Sequence, residues 1–198
     1  MPFDAGVMRA VVKQLENDAL GARIEKVYQP ERDEIILNLR SKNGSKRLLL
    51  SASAGNSRVG FINADRENPA VPPMFCMLLR KHLTAGYITS VSQIGFDRAM
   101  EISLVSSDEL GFQSEKHLIC EIMGTYSNII LLDSERKIMS VMHPVSLSTN
   151  NKRQVLAGFK YENPDPQEGK VNALDVTKES FSEKLQSDIA QGVTTAGD

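Results

Sequence analysis

The sequence contains no tryptophan, two cysteines and three histidines in 198 residues. Two cysteines cannot build a disulfide framework, and no CxxC spacing sets them up with the histidines as a zinc site. Cys76 and Cys120 both lie in apolar runs, the pattern of buried, reduced thiols in a cytosolic protein. No apolar stretch approaches the ~18 residues of a membrane span, so no membrane partner is expected. The N-terminus lacks the basic start, apolar stretch and small-residue cleavage site of a secretory leader. A cytoplasmic location follows as the expectation. GxxxxGK[ST], GxSxG, HExxH and GxGxxG are all absent. His82, His117 and His143 fall on three different expected elements, which argues against a shared metal or a triad. Four tyrosines and seven phenylalanines advertise no platform for stacking bases. Neither a metal nor a cofactor is expected.

What is present is an uneven charge. Residues 161–198 hold 8 acidic and 3 basic residues, and residues 1–160 hold 17 acidic and 20 basic. A mildly basic body therefore carries an acidic tail. The excess of three is compatible with a local basic patch, far below the level that announces nucleic-acid binding by itself.

The periodicities predict an α+β chain with antiparallel strands. Val7, Met8, Val11, Val12 and Leu15 share one face of a helix over 4–19, with Asp4 at the N-cap and Gly21 as the stop. Strand patterns follow at 22–28, 34–40, 46–52 and 58–62, and Asn43-Gly44 signals a hairpin. The segment 63–73 carries Pro69, Pro72 and Pro73 and reads as a loop. Pro73 suits the first turn of a second helix, which ends in Arg80-Lys81-His82 and stops at Ala85-Gly86. Further strands are predicted at 87–95, 98–106, 113–122, 127–133 and 137–142. Residues 143–170 look irregular. A polar helix pattern starts near Asp175, anchored only by Val176, Phe181, Leu185 and Ile189. Such a helix reads as the edge of a second domain, with the natural protein continuing past residue 198.

Four places could carry chemistry. Asp97-Arg98, between two strands, is either a solvated hairpin corner or a rigid polar pair. In the second case Arg98 grips phosphate bidentately, and Asp97 orients it or accepts from a base or ribose hydroxyl. Arg80-Lys81-His82 either compensates the helix dipole or forms a phosphate-contacting ridge. Asp4 is a cap or a polar contact near a ligand. Removal of Met1 would expose the secondary amine of Pro2, a Schiff-base nucleophile, but only Asp4 is close enough to serve as its acid.

Five stretches in order carry a family resemblance: MPFDAGVMRAVVKQL, RIEKVYQPERDEIIL, PPMFCMLLRKHL, GFDR and EIMGTYSNIILLD. Together, over residues 2–145, they resemble the N-terminal (NFACT-N) domain of fibronectin-binding protein A-like proteins. These are bacterial relatives of the eukaryotic nuclear export mediator factor and of the ribosome quality control protein that builds C-terminal tails. The resemblance implies an antiparallel β-sandwich-like core with flanking helices, similar to the N-terminal domain of formamidopyrimidine-DNA glycosylases. It implies an NFACT-N domain at 1–145, a linker at 146–170 and the start of a helix–two-turn–helix module at 171–198. The coiled coil and further RNA-binding domain of the family have no counterpart here, so the chain resembles an N-terminal piece.

The function implied is binding of tRNA, alanyl-tRNA in bacteria, on a large ribosomal subunit that carries stalled peptidyl-tRNA. Template-free alanine tailing of the nascent chain follows, with peptidyl transfer done by the ribosome and no enzymatic step by this chain. Asp97, Arg98 and Asp4 take the family's tRNA-engaging positions, and Arg80, Lys81 and His82 match its helix. Glu121, Gly124, Ser127 and Asn128 match a motif with a structural role, Gly124 permitting a strand break and Asn128 bonding backbone. Glycosylases place an acid after the N-terminal proline, whereas Phe3 stands here, so no glycosylase activity is expected. The alternative is a surface adhesin that binds fibronectin or fibrinogen, with exposure on the cell surface as a secondary location. The missing leader and wall anchor argue against adhesion as the primary role.

Overall fold

Asp4 starts the first helix by accepting a hydrogen bond at Oδ1 from Val7 N, 2.8 Å away. Helix α1 then runs Ala5–Ala19 and buries Met8, Val12, Leu15 and Ala19 on one stripe. Gly21, at φ +72°, turns the chain into strand β1, Arg23–Tyr28. Three hairpin-linked strands follow: β2, Glu34–Ser41, β3, Gly44–Ser51, and β4, Arg58–Ile62. The computed structural model describes residues 3–42, 44–64, 66–107, 110–148, 153–164 and 175–190. Pro2 and Asn43, both singled out above, lie outside the described residues. The hairpin itself is formed, with Ser41 opposite Gly44 at φ +107°.

Helix α2, Met74–Leu83, begins directly after Pro73 and buries Cys76, Leu79 and Leu83. Its basic last turn is the expected one. Five more strands complete the sheet: β5, Tyr87–Gln93, β6, Ala99–Ser107, β7, Gln113–Glu121, β8, Asn128–Leu132, and β9, Ile138–Val141. The α+β class and the antiparallel pairing agree with the sequence. All nine strands join one sheet in the order β4-β3-β2-β1-β5-β6-β7-β8-β9. The two groups of strands meet at a narrow joint, where β1 and β5 share the single register pair Arg23–Tyr87.

One apolar cluster holds both helices and both halves of the sheet, from Val59 on β4 to Ile129 and Leu131 on β8. The sheet therefore curls around the helices. Four strands separate β1 from β9, yet His143 Nε2, just past β9, lies 2.8 Å from Asp33 Oδ1 in the β1–β2 turn. A second cluster forms on the outer face of β7–β9, where Val155 and Tyr161 cover Ile119, Ile130, Leu132 and Ile138. Part of the stretch read as a linker thus packs on the sheet. Both cysteines are fully buried free thiols.

The chain divides into two compact units, Met1–Pro164 and Asp165–Asp198. In the second, helix α3, Lys178–Ala190, opens with a reciprocal cap: Thr177 N donates to Ser180 Oγ and Ser180 N to Thr177 Oγ1. Phe181, Leu185 and Ile189, one turn apart, are exposed on it. Among the described residues no helix is long and apolar enough to cross a membrane.

Candidate functional site

Strands β5 and β6 are joined by the turn that carries Asp97 and Arg98. Gly95, at φ +61°, lets the chain reverse there, and Ile94 N donates to Ala99 O at 2.8 Å. Arg98 N donates to the Asp97 carboxylate at 2.6 Å, and Arg98 O accepts from Ile122 N at 2.7 Å. The turn is thus fixed through its backbone. The Arg98 side chain is partly buried, and its guanidinium has no hydrogen-bond or ion-pair partner among the described residues.

One residue the sequence reading missed brings α1 to this turn. Gln93 Nε2 donates to Ala5 O at 2.9 Å and to Asp97 O at 2.7 Å. The first turn of α1, with Asp4 exposed at its cap, therefore stands two hydrogen bonds from the Asp97 backbone. Gln93 Oε1 is buried without a donor among the described residues. A polar side chain at a strand end gives no sequence signal of such a bridge, because both carbonyls it holds belong to other segments.

The third wall is the segment after β7. Gly124, at φ +60°, opens a 3-10 turn over Gly124–Tyr126. Ser127 Oγ accepts from Met123 N at 2.8 Å and closes the loop, leaving Tyr126 76% exposed on its rim. The strand break expected at Gly124 is where the turn forms. Asn128 bonds backbone as the family likeness implies: Nδ2 donates to His143 O, and Oδ1 accepts from His143 N. Asp4, Asp97 and Arg98 thus gather at one end of the sheet, together with the 122–127 loop.

Arg80, Lys81 and His82 lie elsewhere. Arg80 Nε donates to Val27 O at 2.8 Å, and its guanidinium stacks 5.8 Å from the Tyr28 ring. Its cation is largely spent on joining α2 to β1. Lys81 is exposed and His82 partly buried beside Lys116 of β7.

The outer face of β6 and β7 carries a separate polar group. Arg136 forks onto Glu101 with bonds of 3.1 and 2.9 Å, and His117 Nδ1 lies 2.8 Å from the same carboxylate. Ser103 Oγ also reaches His117 Nδ1, at 3.1 Å. Serine and glutamate meet the same ring nitrogen, so the group lacks the relay geometry of a hydrolytic triad. Burial pushes the Glu101 carboxyl up, but Arg136, His117 and Ser103 outweigh it and hold the group below its usual range. A depressed carboxyl stabilises the fold above its unfolded pKa, and that contribution is lost as pH falls through the folded value. Arg136→Met should therefore cost about 1–2 kcal/mol at neutral pH and flatten the loss of stability below about pH 4.3. Urea unfolding at pH 7 and pH 3 measures both. Equal pH slopes for the two proteins would refute the account.

Residues 4–195 match the family described as NFACT N-terminal and middle domains. The Rqc2 homolog RqcH of Bacillus subtilis is 38% identical over 186 residues, 93% of this chain and 32% of that protein. The solved N-terminal domain of the fibronectin-binding protein PavA from Streptococcus pneumoniae superposes with a TM-score of 0.87. It shares 35% identity and covers 98% of this chain and 74% of that one. The N-terminal part of the fibronectin/fibrinogen-binding protein of Streptococcus suis gives the same TM-score at 39% identity, covering 94% of this chain and 70% of that one. The chain spans about a third of the length of the bacterial RqcH relatives it matches.

Proposed function

We propose, for a chain that belongs to the family of NFACT N-terminal and middle domains, a role in ribosome-associated quality control as a tRNA-contacting module. It engages tRNA, alanyl-tRNA by the family likeness, on a large ribosomal subunit that holds stalled peptidyl-tRNA. The ribosome performs peptidyl transfer during alanine tailing in the cytoplasm. The chain contributes position and no chemistry of its own. The name of the Bacillus subtilis relative supports the pathway, and the geometry of the turn supports the contact.

The observation that carries this reading is Arg98. Its backbone is locked on both sides, by Asp97 Oδ1 and by Ile122 N, while its guanidinium is left unpaired among the described residues. An arginine with its backbone fixed and its guanidinium unpaired has only its own side chain to order when it meets a phosphate bidentately. Asp97, Asp4 and the exposed Tyr126 offer acceptors and a ring to bases and riboses around it.

Sequencing the RNA that co-purifies with the protein from cells, wild type beside Asp97→Ala/Arg98→Ala, tests the proposal. Enrichment of one tRNA species with the wild type, at least tenfold reduced in the double variant, is the expected result. Enrichment indifferent to the substitutions would remove the turn from the interface. A second reading rests on the names of the structural neighbours: adhesion to fibronectin or fibrinogen. Saturable binding to immobilised fibronectin with little dependence on salt would favour it, since phosphate contacts weaken steeply as salt rises.

A further inference from the structure

Direct partners across an antiparallel ladder put their side chains on one face. Arg23 of β1 stands opposite Arg40 of β2 and, on its other side, opposite Tyr87 of β5. Lys26, past the irregularity in β1, stands opposite Asn38. Ile24, Val27, Leu39 and Ile88, their neighbours along the strands, all belong to the core cluster. Arg23, Lys26, Arg40 and Tyr87 therefore share the outer face. All four are exposed, Tyr87 to 55%. Ile24 N donates to Gly86 O and Ile88 N to Ala22 O, so Arg23 and Tyr87 form a non-hydrogen-bonded pair, the kind whose side chains stand closest.

Like charges directly opposite one another weaken a ladder, and Arg23–Arg40 is such a pair. Arg40 Nη1 donates to the neutral Ser45 Oγ at 3.0 Å. Among the described residues no carboxylate forms an ion pair with Arg23, Lys26 or Arg40, and the exposed Glu25 between the two β1 cations is no exception. Arg47 shares the face, opposite Asn38, but is tied to Ala64 O at 3.3 Å. Other cations of the sheet do have carboxylates: Lys46 has Asp18, Arg136 has Glu101 and Arg153 has Glu121. Three cations gathered without a counter-charge are unfavourable in the free protein and complementary to an anion.

The residue types name the anion. Guanidinium forks on adjacent strands can each grip a backbone phosphate bidentately. The exposed Tyr87 ring beside Arg23 offers a base a surface to stack on, which an acidic protein would leave unused. This face is not that of the Arg98 turn, whose backbone bonds to Ile122 of the core cluster. Tyr87 and Gln93 are the two ends of β5, about 20 Å apart at ~3.4 Å per residue, and the Arg98 turn follows Gln93. We propose that Arg23, Lys26 and Arg40, with the Tyr87 ring, form a docking surface for RNA of the large ribosomal subunit, apart from the tRNA contact at Arg98. The source of the RNA rests on the quality-control reading, and the phosphate chemistry does not.

The test compares the wild type with Arg23→Gln/Arg40→Gln and with Arg9→Gln/Lys13→Gln, which removes the same charge from the exposed flank of α1. Each is sedimented with purified large subunits, and separately titrated with protein-free large-subunit RNA, over a range of KCl concentrations. Arg23→Gln/Arg40→Gln should bind about tenfold more weakly in both and lower the salt slope by about 1.5. Arg9→Gln/Lys13→Gln should keep wild-type values. Tyr87→Leu should weaken binding about threefold while Tyr87→Phe does not. Arg40→Gln should melt at or above the wild type, because it relieves the facing charges.

Wild-type binding by the β1–β2 variant, or an equal loss in the α1 variant, would overturn the surface. So would a loss of binding that tracks a lower melting temperature, since the arginines would then be structural. A loss seen with subunits and absent with bare RNA would assign the face to a ribosomal protein and overturn the RNA contact. Failure of the wild type to bind subunits would count against the quality-control reading. The bare-RNA titration then decides the face by itself, and equal slopes for the three proteins overturn it.

Discussion

Glu121→Ala is expected to cost the N-terminal unit about 3–5 kcal/mol, the range for breaking a buried ion pair from one side. Glu121 is 3% exposed at the end of β7. Its two carboxylate oxygens take both terminal nitrogens of Arg153, and Oε1 also accepts from Tyr161 Oη at 2.8 Å. Arg153 is 13% exposed, and its Nε already lacks a partner among the described residues. Removing the carboxylate leaves a buried guanidinium and a buried hydroxyl with nothing to accept from them. For a unit of this size, roughly 2–4 °C of melting temperature goes with each kcal/mol, so a fall of about 10 °C is expected.

A penalty set by charge makes a further demand that simple packing does not. The damage comes from the orphaned cation, so Glu121→Leu/Arg153→Met should melt well above Glu121→Ala. A double variant no more stable than the single one would show that Glu121 matters for its volume and not for its charge. The pair also bears on the candidate interface. Glu121 is directly followed by the 122–127 loop that lines the Arg98 turn, and Ala99, the residue after Arg98, is its partner across the β6–β7 ladder. Loss of the pair should loosen that wall, and the proposed tRNA contact should weaken with stability.

The sequence was informative where structure is local. Alternation and turn residues located all nine strands to within a few residues, and the cap at Asp4 and the stop near Gly21 bounded α1. Pairing across the sheet was less legible. The narrow joint of β1 with β5 depends on α2 and a long loop returning the chain beside Arg23, which periodicity does not encode. Residues 153–161 read as irregular because their anchors are single, Val155 and Tyr161, and the strands they pack on, β7 to β9, lie too far back in the chain for a local pattern to show the contact. The candidate site divided in the same manner. Asp97 and Arg98 stood out as a charged corner between strands. Gln93 did not, since a polar strand end carries no signal of the two carbonyls it holds. Arg80 looked equivalent to its neighbours until its bond to Val27 O set it apart.

The second large effect is expected at Asn128, which faces Glu121 directly across β7 and β8. Its side chain is 2% exposed and imitates a piece of sheet. Nδ2 donates to His143 O at 2.6 Å, while Oδ1 accepts from His143 N at 2.9 Å and from Ile129 N at 3.0 Å. Asn128→Ala removes all three bonds and should cost about 2–4 kcal/mol, because orphaned backbone groups carry most of the penalty. Asn128→Asp is nearly isosteric and keeps the acceptor, yet it should be scarcely better. It would set a carboxylate against the His143 carbonyl and opposite Glu121, and like charges facing across a ladder destabilise it. The release should also reach the curled edge of the sheet, where His143 holds Asp33 of the β1–β2 turn at 2.8 Å. Urea unfolding gives the energy, and hydrogen exchange gives its location: the amides of Ile129 and His143 should lose protection before those of β2 and β3. Because Glu121 and Asn128 touch the same stretch of ladder, their alanine costs should combine non-additively. Strict additivity would mean that the two side chains support the 122–127 loop independently, and the coupled wall inferred for the Arg98 turn would then fail.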